Sequence, residues 1–223
     1  MLLSIIVPIF NEEKTLLEII DRVRQVDLKK EIIVVDDCSS DNSWSLIQQL
    51  EEIRVIRHPC NMGKGAAIRT GLLQIRGDVV IVQDGDLEYD PSDFPALLKP
   101  IFDDEADVVY GSRFLGKMEG MRFQNFVGNK VLTVLTSFLY GASISDMETC
   151  YKMMRVSVIR DIKLRANRFD FEPEITAKIL KRGIRFREVP INYSGRTHED
   201  GKKIGWKDGV QAIWALIKYR FID

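Results

Sequence analysis

Long apolar runs are missing from this sequence of 223 residues. Crossing a bilayer as a helix takes about 20 consecutive apolar residues, and no stretch here reaches that length without interruption. The apolar start, Met1 to Pro8, is also short and carries no basic residue, so it indicates a first β-strand and not a signal peptide. We therefore expect a protein that, if it meets a membrane, lies on its surface.

The sequence also has few cysteines and a net charge close to zero. The three cysteines, Cys38, Cys60 and Cys150, include no C-x-x-C pair, and the formal net charge is -1. An odd, scattered set predicts buried thiols in a reducing cytoplasm, without disulfides or zinc. No global basic excess is available to displace the counterions of a nucleic acid, so we expect no such partner. With 45% hydrophobic residues, the chain can bury the core of one domain, 1–223.

Short apolar runs alternate with helix-like segments through the first half of the chain. The runs predict strands at 3–9, 31–36, 55–56, 79–82 and 106–113. This alternation predicts an α/β fold: a doubly wound, Rossmann-like layer in which helices cover both faces of a mainly parallel sheet. A Walker A loop is absent, and no G-x-G-x-x-G follows the first strand, which argues against a dinucleotide site.

Carboxylates follow the buried run 79–82 at once. Asp84, Asp86 and Glu88 come directly after four apolar residues, with Gly85 between the two aspartates. Open α/β sheets bind ligands at the carboxyl ends of their strands. A cluster of carboxylates there suits Mg²⁺ or Mn²⁺, which take oxygen ligands and keep positions open for phosphate. The alternative is an ordinary Asp-Gly-Asp turn.

Other polar residues are predicted at the same sheet edge. Asp37 ends the second strand, and Lys64 lies in a Gly-Lys-Gly turn that opens a helix, where backbone amides can approach an anion. Arg113 follows the strand 106–113, and its planar fork suits phosphate oxygens. A surface arginine without function is the alternative for Arg113.

The second half of the chain has a different character. Segment 122–140 is apolar at its far end and basic at its start, so it is either a core helix or one that lies in a membrane interface. Glu172 begins a further helix, and the last helix, 206–221, sets Trp214, Ile217 and Phe221 on one face. Between them, 193–204 is basic and glycine-bearing, which fits either a phosphate-binding loop or a solvated one.

Together these motifs resemble the family 2 glycosyltransferases of the GT-A fold, in particular the polyprenyl- or dolichyl-phosphate sugar synthases. The matching segments are 7–12, 35–41, 61–65, 83–88, 111–113, 146–151, 171–172 and 196–203. The resemblance implies a GT-A nucleotide-sugar-binding half, 1–115, and an acceptor-side half with amphipathic helices, 116–223. One departure is Gly85, where the family usually has alanine, and glycine loosens the turn.

The resemblance also implies roles for individual residues. Asp84 and Asp86 would be the acid-x-acid motif that ligates Mg²⁺ or Mn²⁺, with Glu88 able to complete the shell, and Asp86, Arg113 and Glu172 would serve catalysis. The nucleotide-binding residues would be Pro8, Phe10, Glu12, Asp37, Lys64, Asp84 and Gly85. The candidates for the acceptor phosphate are Arg113, Arg196, Lys202 and Lys203.

The activity expected from these residues is metal-dependent transfer of a hexose, with inversion, from GDP-mannose or UDP-glucose to a polyprenyl or dolichyl phosphate. A lipid phosphate is already anionic, so a cationic pocket can replace a base. A sugar hydroxyl acceptor would need one, and Glu172 or Asp146 could serve. A catalytically silent nucleotide-sugar binder and a receiver-like phosphoacceptor module remain as alternatives.

A lipid acceptor has consequences for where the protein works. We expect a peripheral protein at the cytoplasmic face of the membrane, docked through segments 122–140 and 206–221. A membrane-anchoring partner or a homo-oligomer could assist.

Overall fold

A seven-stranded sheet forms the centre of the molecule in a computed structural model, which describes residues 1–196 and 206–222. Its strands in chain order are β1 (Leu3–Ile9), β2 (Lys30–Asp36), β3 (Arg54–Arg57), β4 (Val79–Val82), β5 (Val108–Ser112), β7 (Lys152–Arg155) and β8 (Phe186–Pro190). Two short strands, β6 (Met118–Glu119) and β9 (Tyr193–Ser194), pair separately.

The strand order is β3-β2-β1-β4-β7-β5-β8. Neighbours run parallel except at β7, which is antiparallel to both β4 and β5. In the middle, Ile5 of β1 lies between Ile32 and Ile81, and all three are buried. Residues 79–82 are buried throughout because the sheet is covered on both faces. The predicted doubly wound, mainly parallel sheet is confirmed.

Helices connect the strands and cover the sheet. They are α1 (Leu16–Gln25), α2 (Ser43–Ile47), α3 (Lys64–Leu72), α4 (Phe94–Phe102), α5 (Phe123–Tyr140), α6 (Val156–Arg160), α7 (Phe171–Lys181) and α8 (Trp206–Phe221). In α1 the side chains of Leu16, Ile19, Ile20 and Val23 recur at helical spacing and are fully buried. That stripe explains why this segment forms a helix and which of its faces packs on the core.

In the second half, α5, α7 and α8 pack against one another. Both α5 and α8 keep apolar side chains in solvent. On α5, Phe138 is 83% exposed, and on α8, Trp214 is 65% exposed. The predicted shared face of Trp214, Ile217 and Phe221 is thus an outer face of the protein. Within the described residues no helix is long and apolar enough to cross a membrane.

The prediction of buried thiols is right for one cysteine only. Cys150 is buried, whereas Cys38 is partly exposed and Cys60 is exposed. Cys38 and Cys60 lie on loops after β2 and β3, where the chain has left the sheet. Whether a cysteine is buried depends on its position in the fold, and the number of cysteines does not predict that position.

Candidate active site

The candidate active site lies at the switch point of the sheet, between β1 and β4, where the strand order reverses. Strands β2 and β3 extend from β1 on one side, and β4 pairs with β1 on the other. Such a switch point leaves a crevice at the carboxyl ends of the strands. Glu12 follows β1, Asp37 follows β2, and Asp84 follows β4, so the three polar segments meet at this crevice as the sequence predicts.

Lys64 joins two carboxylates in the crevice. Its Nζ atom, at the first position of α3, lies 2.9 Å from Oδ1 of Asp84 and 3.0 Å from Oε1 of Glu172. Burial opposes the charge of this ammonium, but the two carboxylates outweigh it and hold the pKa of Lys64 well above its usual value. Lys64 therefore stays cationic at neutral pH and forms ion pairs with both Asp84 and Glu172.

Arg196 pairs with the second aspartate of the motif. Its Nη2 atom lies 3.0 Å from Oδ2 of Asp86, and its Nη1 atom lies 3.1 Å from Oε2 of Glu12. Burial, followed by the charges of Asp84 and Glu88, raises the pKa of Asp86 to about 6 even though Arg196 opposes the rise. Negative charge is therefore crowded at this point, and a further cation would relieve it.

Glu88 binds the chain segment that contains Tyr193 and Arg196. Its carboxylate accepts hydrogen bonds from the Tyr193 hydroxyl at 2.8 Å and from the Arg196 backbone amide at 2.9 Å. Among the described residues, no three His, Cys, Asp or Glu side chains are grouped so as to hold a metal ion. Glu88 thus holds the segment that carries Arg196, and its place in a metal shell with Asp84 and Asp86 remains a prediction.

Asp84 and Asp86 still fit a divalent cation. Both are hard oxygen donors at the end of β4, and burial together with the charges of Asp84 and Glu88 raises the pKa of Asp86. Two protein carboxylates leave coordination positions for phosphate oxygens and water, which is the usual arrangement for Mg²⁺ beside a nucleotide. The residues present would hold such an ion through these two side chains.

Gly85 lies in a close turn, in which the more usual alanine would need a small shift of its neighbours. Its carbonyl accepts a hydrogen bond from the Thr15 hydroxyl at 2.7 Å, which fixes the turn between the two aspartates. A Cβ built on Gly85 would lie 3.2 Å from Cγ2 of Ile9 and 3.4 Å from Cγ of Glu12. The turn is therefore held by contacts with the first loop, and the missing methyl group does not leave it loose.

Asp37 shapes the Gly-Lys-Gly turn from beneath. Its carboxylate accepts the backbone amides of Met62 at 2.8 Å and Gly63 at 2.7 Å, and it lies 2.7 Å from Nδ1 of His58. The other ring nitrogen of His58 lies 2.9 Å from the Thr70 hydroxyl. Asp37 is only 3% exposed, so in this structure it positions the turn. Sequence reasoning missed His58, because no local pattern connects it with Asp37.

Arg113 is already paired. Its Nε and Nη2 atoms each lie 2.7 Å from an oxygen of Asp146, and its backbone amide donates to the same carboxylate at 3.0 Å. Bidentate pairs of this kind are strong and directional. Asp146 thus has both oxygens engaged, which leaves it poorly suited to act as a base. Arg113 borders the crevice as part of this pair, with the Tyr193 ring 5.3 Å from its guanidinium carbon.

Beside this pair lies a glutamate that sequence reasoning did not single out. Glu148 follows Asp146 by two residues, and its Oε1 atom is buried without a hydrogen-bond partner among the described residues. Burial, then the charge of Glu172, raises the pKa of Glu148 to about 7, although Lys152 and Arg113 oppose the rise. Burial also lowers the pKa of Lys152. The Asp-x-Glu spacing was the available signal, but nothing local shows that both side chains face the crevice.

The remaining predicted residues fall in two groups. Pro8 is buried within β1, and Phe10 is partly exposed just beyond it, and their contact with a nucleotide remains a prediction. Lys202 and Lys203 lie outside the described residues, and their predicted contact with an acceptor phosphate remains a prediction.

The fold and the acidic crevice define an α/β protein with a candidate ligand site at the switch point of its sheet. A family model described as "Glycosyl transferase family 2" matches residues 4–163, which is well over half of the chain. The chain therefore belongs to glycosyl transferase family 2 and is a glycosyltransferase, in agreement with the resemblance noted from its motifs. This membership replaces the receiver-like alternative.

Two curated relatives and one solved structure illustrate the similarity. The UDP-N-acetylglucosamine–dolichyl-phosphate N-acetylglucosaminyltransferase of Methanococcus voltae is 28% identical over 213 residues, covering 85% of this chain and 84% of that protein. The dolichol-phosphate mannosyltransferase of Pyrococcus furiosus is 29% identical over 232 residues, covering 98% of this chain but 64% of that protein. Glucosyl-3-phosphoglycerate synthase from Mycobacterium tuberculosis, crystallised with Mn²⁺, UDP and phosphoglyceric acid, superimposes with a TM-score of 0.76 at 21% identity, covering 99% of this chain and 79% of that one. It supports the GT-A fold.

Proposed function

We propose that this glycosyltransferase moves a hexose, with inversion, from a nucleoside-diphosphate sugar to a polyprenyl or dolichyl phosphate. The observation that carries the donor half of the proposal is the pair Asp84 and Asp86 at the switch point of the sheet, beside the loop of Glu12. The acceptor half is supported by the names of the relatives from M. voltae and P. furiosus, both of which are dolichyl-phosphate sugar transferases.

Asp84 and Asp86 would hold Mg²⁺ or Mn²⁺ against the donor diphosphate. The ion supplies Lewis-acid stabilisation of the diphosphate as it leaves. The loop of Pro8, Phe10 and Glu12 would border the nucleoside, and the turn that Asp37 supports would lie beside it. In this arrangement residues 1–115 bind the donor, and residues 116–223 form the acceptor side.

Arg196 is the described residue best suited to meet the acceptor phosphate. Its guanidinium lies on Asp86 and Glu12, at the mouth of the donor crevice, so it is already at the boundary between donor and acceptor. To bind phosphate it must exchange these carboxylates for phosphate oxygens, which a guanidinium binds with similar geometry. Arg113, Lys202 and Lys203 complete the proposed cationic pocket. Arg113 would contribute while still paired with Asp146.

A sugar hydroxyl is the second candidate acceptor, and one observation favours it. Oε2 of Glu172 is buried without a hydrogen-bond partner among the described residues, while Oε1 is held by Lys64. A positioned carboxylate with one available oxygen could accept the proton of an attacking hydroxyl. A phosphate acceptor would not require that step.

The exposed stripes of α5 and α8 support docking on a membrane surface, and the face we propose is the cytoplasmic one. The stripe residues are Phe123, Val127, Val131, Val134, Phe138, Val210, Ile213, Trp214, Ile217 and Phe221. Lys130 and Lys218 lie on the same two helices, as in helices that rest on anionic lipid. A protein partner or a second copy of the chain on these stripes is the competing arrangement.

The first experiment measures release of nucleoside diphosphate from UDP-glucose and GDP-mannose with Mn²⁺, with and without a short polyprenyl phosphate. We expect release that requires the lipid phosphate and that disappears in Asp86→Ala. The matched control, Asp103→Asn, changes an exposed aspartate at the C-terminal end of α4 and should keep full activity. Donor binding without release under any acceptor would refute the transfer proposal and favour a silent binder.

Membrane docking is tested by flotation with anionic vesicles. Phe138→Ser removes an 83% exposed ring from the α5 stripe and should weaken vesicle binding. Phe102→Ser removes a 66% exposed ring from α4 and should leave it unchanged. Equal binding by both variants would contradict docking through α5. Dimerisation that is lost only in Phe138→Ser would favour a second copy of the chain.

A further inference from the structure

Glu188 lies on the edge strand β8, beside the strand that leads to Arg113. In the register of the sheet it is paired with Tyr110 of β5, and Arg113 directly follows the end of β5. Its carboxylate accepts the backbone amides of Ser145 at 2.9 Å and Asp146 at 3.2 Å, and the Ser145 hydroxyl at 2.9 Å. One side chain of β8 therefore holds the turn that carries Asp146.

The same turn is also attached to β5 and α5. The hydroxyl oxygens of Ser145 and Ser112, the last residue of β5, lie 2.6 Å apart. On the other side of the turn, the amide of Met147 donates to the hydroxyl of Thr133 on α5 at 3.1 Å. Without the Glu188 carboxylate these contacts would still attach the turn to the protein, but the amides of residues 145 and 146 would lose the acceptor that fixes their direction.

The position of Asp146 decides where the Arg113 guanidinium lies. Asp146 is fully buried, and its two oxygens each lie 2.7 Å from a nitrogen of Arg113, one from Nε and one from Nη2. A guanidinium is planar, with its N–H groups in a rigid fork, so pairing through Nε and Nη2 fixes its plane and the direction of Nη1. Because an aspartate side chain is short, a shift of its backbone moves the carboxylate and, with it, the paired guanidinium.

We propose that Glu188 is a positioning residue for the transfer reaction: through the turn of Ser145 and Asp146 it sets the direction in which Arg113 meets the acceptor phosphate. This inference rests on the proposed function, in which Arg113 belongs to the cationic pocket for that phosphate, and it adds the residue that orients Arg113. A hydrogen bond from a guanidinium to a phosphate depends strongly on direction. A misdirected Arg113 would therefore weaken acceptor binding and leave donor binding intact.

The test is steady-state kinetics with Mn²⁺, the donor that the wild type uses, and a short polyprenyl phosphate as the varied acceptor. Glu188→Ala should raise the acceptor KM by about tenfold, the effect expected when one charge-assisted hydrogen bond is lost. Its affinity for the nucleoside diphosphate, measured by calorimetry, should match the wild type, which shows that the variant is folded. Glu188→Gln keeps a carbonyl oxygen for the two amides, so its KM should stay within about threefold of the wild type. Glu51→Gln, an exposed change, should match the wild type.

A second background separates positioning from a merely structural role. Arg113→Lys keeps a positive charge for Asp146 but removes the fork, so no planar group is left for Glu188 to orient. In this background, adding Glu188→Ala should raise the acceptor KM by less than about twofold, because residues that act through one another have non-additive effects. A structural role would instead give the same change in both backgrounds.

The outcomes distinguish the two proposals. An unchanged acceptor KM in Glu188→Ala, or an equal rise in both backgrounds, would overturn the role of Glu188 and leave the proposed function standing. A wild type that transfers no sugar to polyprenyl phosphate would overturn the proposed function and this inference with it. If calorimetry shows that Glu188→Ala has not folded, Glu188→Asp replaces it in both comparisons. That variant keeps the charge but withdraws the carboxylate from the turn by one methylene group, so the same results decide.

Discussion

Glu148→Gln should make the folded protein more stable at alkaline pH, although it removes a charged side chain next to Lys152. Burial and the neighbouring charge of Glu172 raise the pKa of Glu148 from its usual 4.5 to about 7 in the folded chain. A carboxyl group with a raised pKa binds its proton more tightly when folded, so the folded state loses stability as the pH rises from about 4.5 to about 7. Glutamine carries no such penalty.

The size of the effect follows from the two pKa values. A rise from 4.5 to about 7 corresponds to on the order of 3 kcal/mol at full ionisation. Loss of the attraction between Glu148 and Lys152 acts in the opposite direction, but the raised pKa already includes that attraction. Lys152 also keeps its hydrogen bonds to two backbone carbonyls. We therefore expect burial to decide the sign.

The assay is urea denaturation of wild type, Glu148→Gln and the exposed control Glu51→Gln. The free energy of unfolding of Glu148→Gln minus that of wild type should increase by a few kcal/mol between about pH 5 and about pH 8. The control should show no such change. A difference that is flat with pH, or one that falls as the pH rises, would refute the conclusion that the Glu148 carboxylate is buried at an energetic cost.

Three further changes test the site. Gly85→Ala should lose about 1 to 3 kcal/mol of stability, because the new Cβ would lie 3.2 Å from Cγ2 of Ile9 and that side chain would have to shift; calorimetric unfolding checks this, and a neutral or stabilising result would contradict the crowding. Gly63→Ala should cost more than about 2 kcal/mol in urea unfolding, because φ is +97° and the Cβ would lie 2.3 Å from the Asn167 carbonyl oxygen; a neutral result would contradict that crowding. Arg196→Ala should bind Mn²⁺ more tightly without nucleotide, as measured by the electron-spin resonance signal of free Mn²⁺, because Asp86 loses its paired cation; unchanged or weaker binding would contradict this.

Local patterns predict those parts of the structure that depend on neighbouring residues. The strand Val79–Val82 and the helix Trp206–Phe221 match the expected bounds, since one is a run without polar members and the other has apolar residues at helical spacing. The position of Asp84 and Asp86 at a sheet edge follows from the same reasoning. Carboxylates that directly follow a buried strand must lie at the carboxyl end of that strand, which is the edge of the sheet.

Pairings between distant residues were not predictable in this way. Arg196 contacts Glu12, 184 residues earlier, and this contact depends on Glu88 and Tyr193 holding the intervening segment. Arg113 was predicted as a phosphate-binding residue, and the sequence did not show that its guanidinium pairs with Asp146. Each residue has the charge that its predicted role needs. Which opposite charge it meets is decided by the tertiary fold, and the sequence holds many acids at similar distances along the chain.

Ion pairs compensate the carboxylates of the acidic motif in the crevice. Lys64 compensates Asp84 and Glu172, and Arg196 compensates Asp86 and Glu12, so each cation is shared between two carboxylates. A divalent ion on Asp84 and Asp86 would supply the charge that these side chains now provide. Under the proposed function, donor binding would weaken the hold of Asp86 on Arg196. Arg196 would then turn to the acceptor phosphate only after the donor is in place, which predicts that the donor binds before the acceptor.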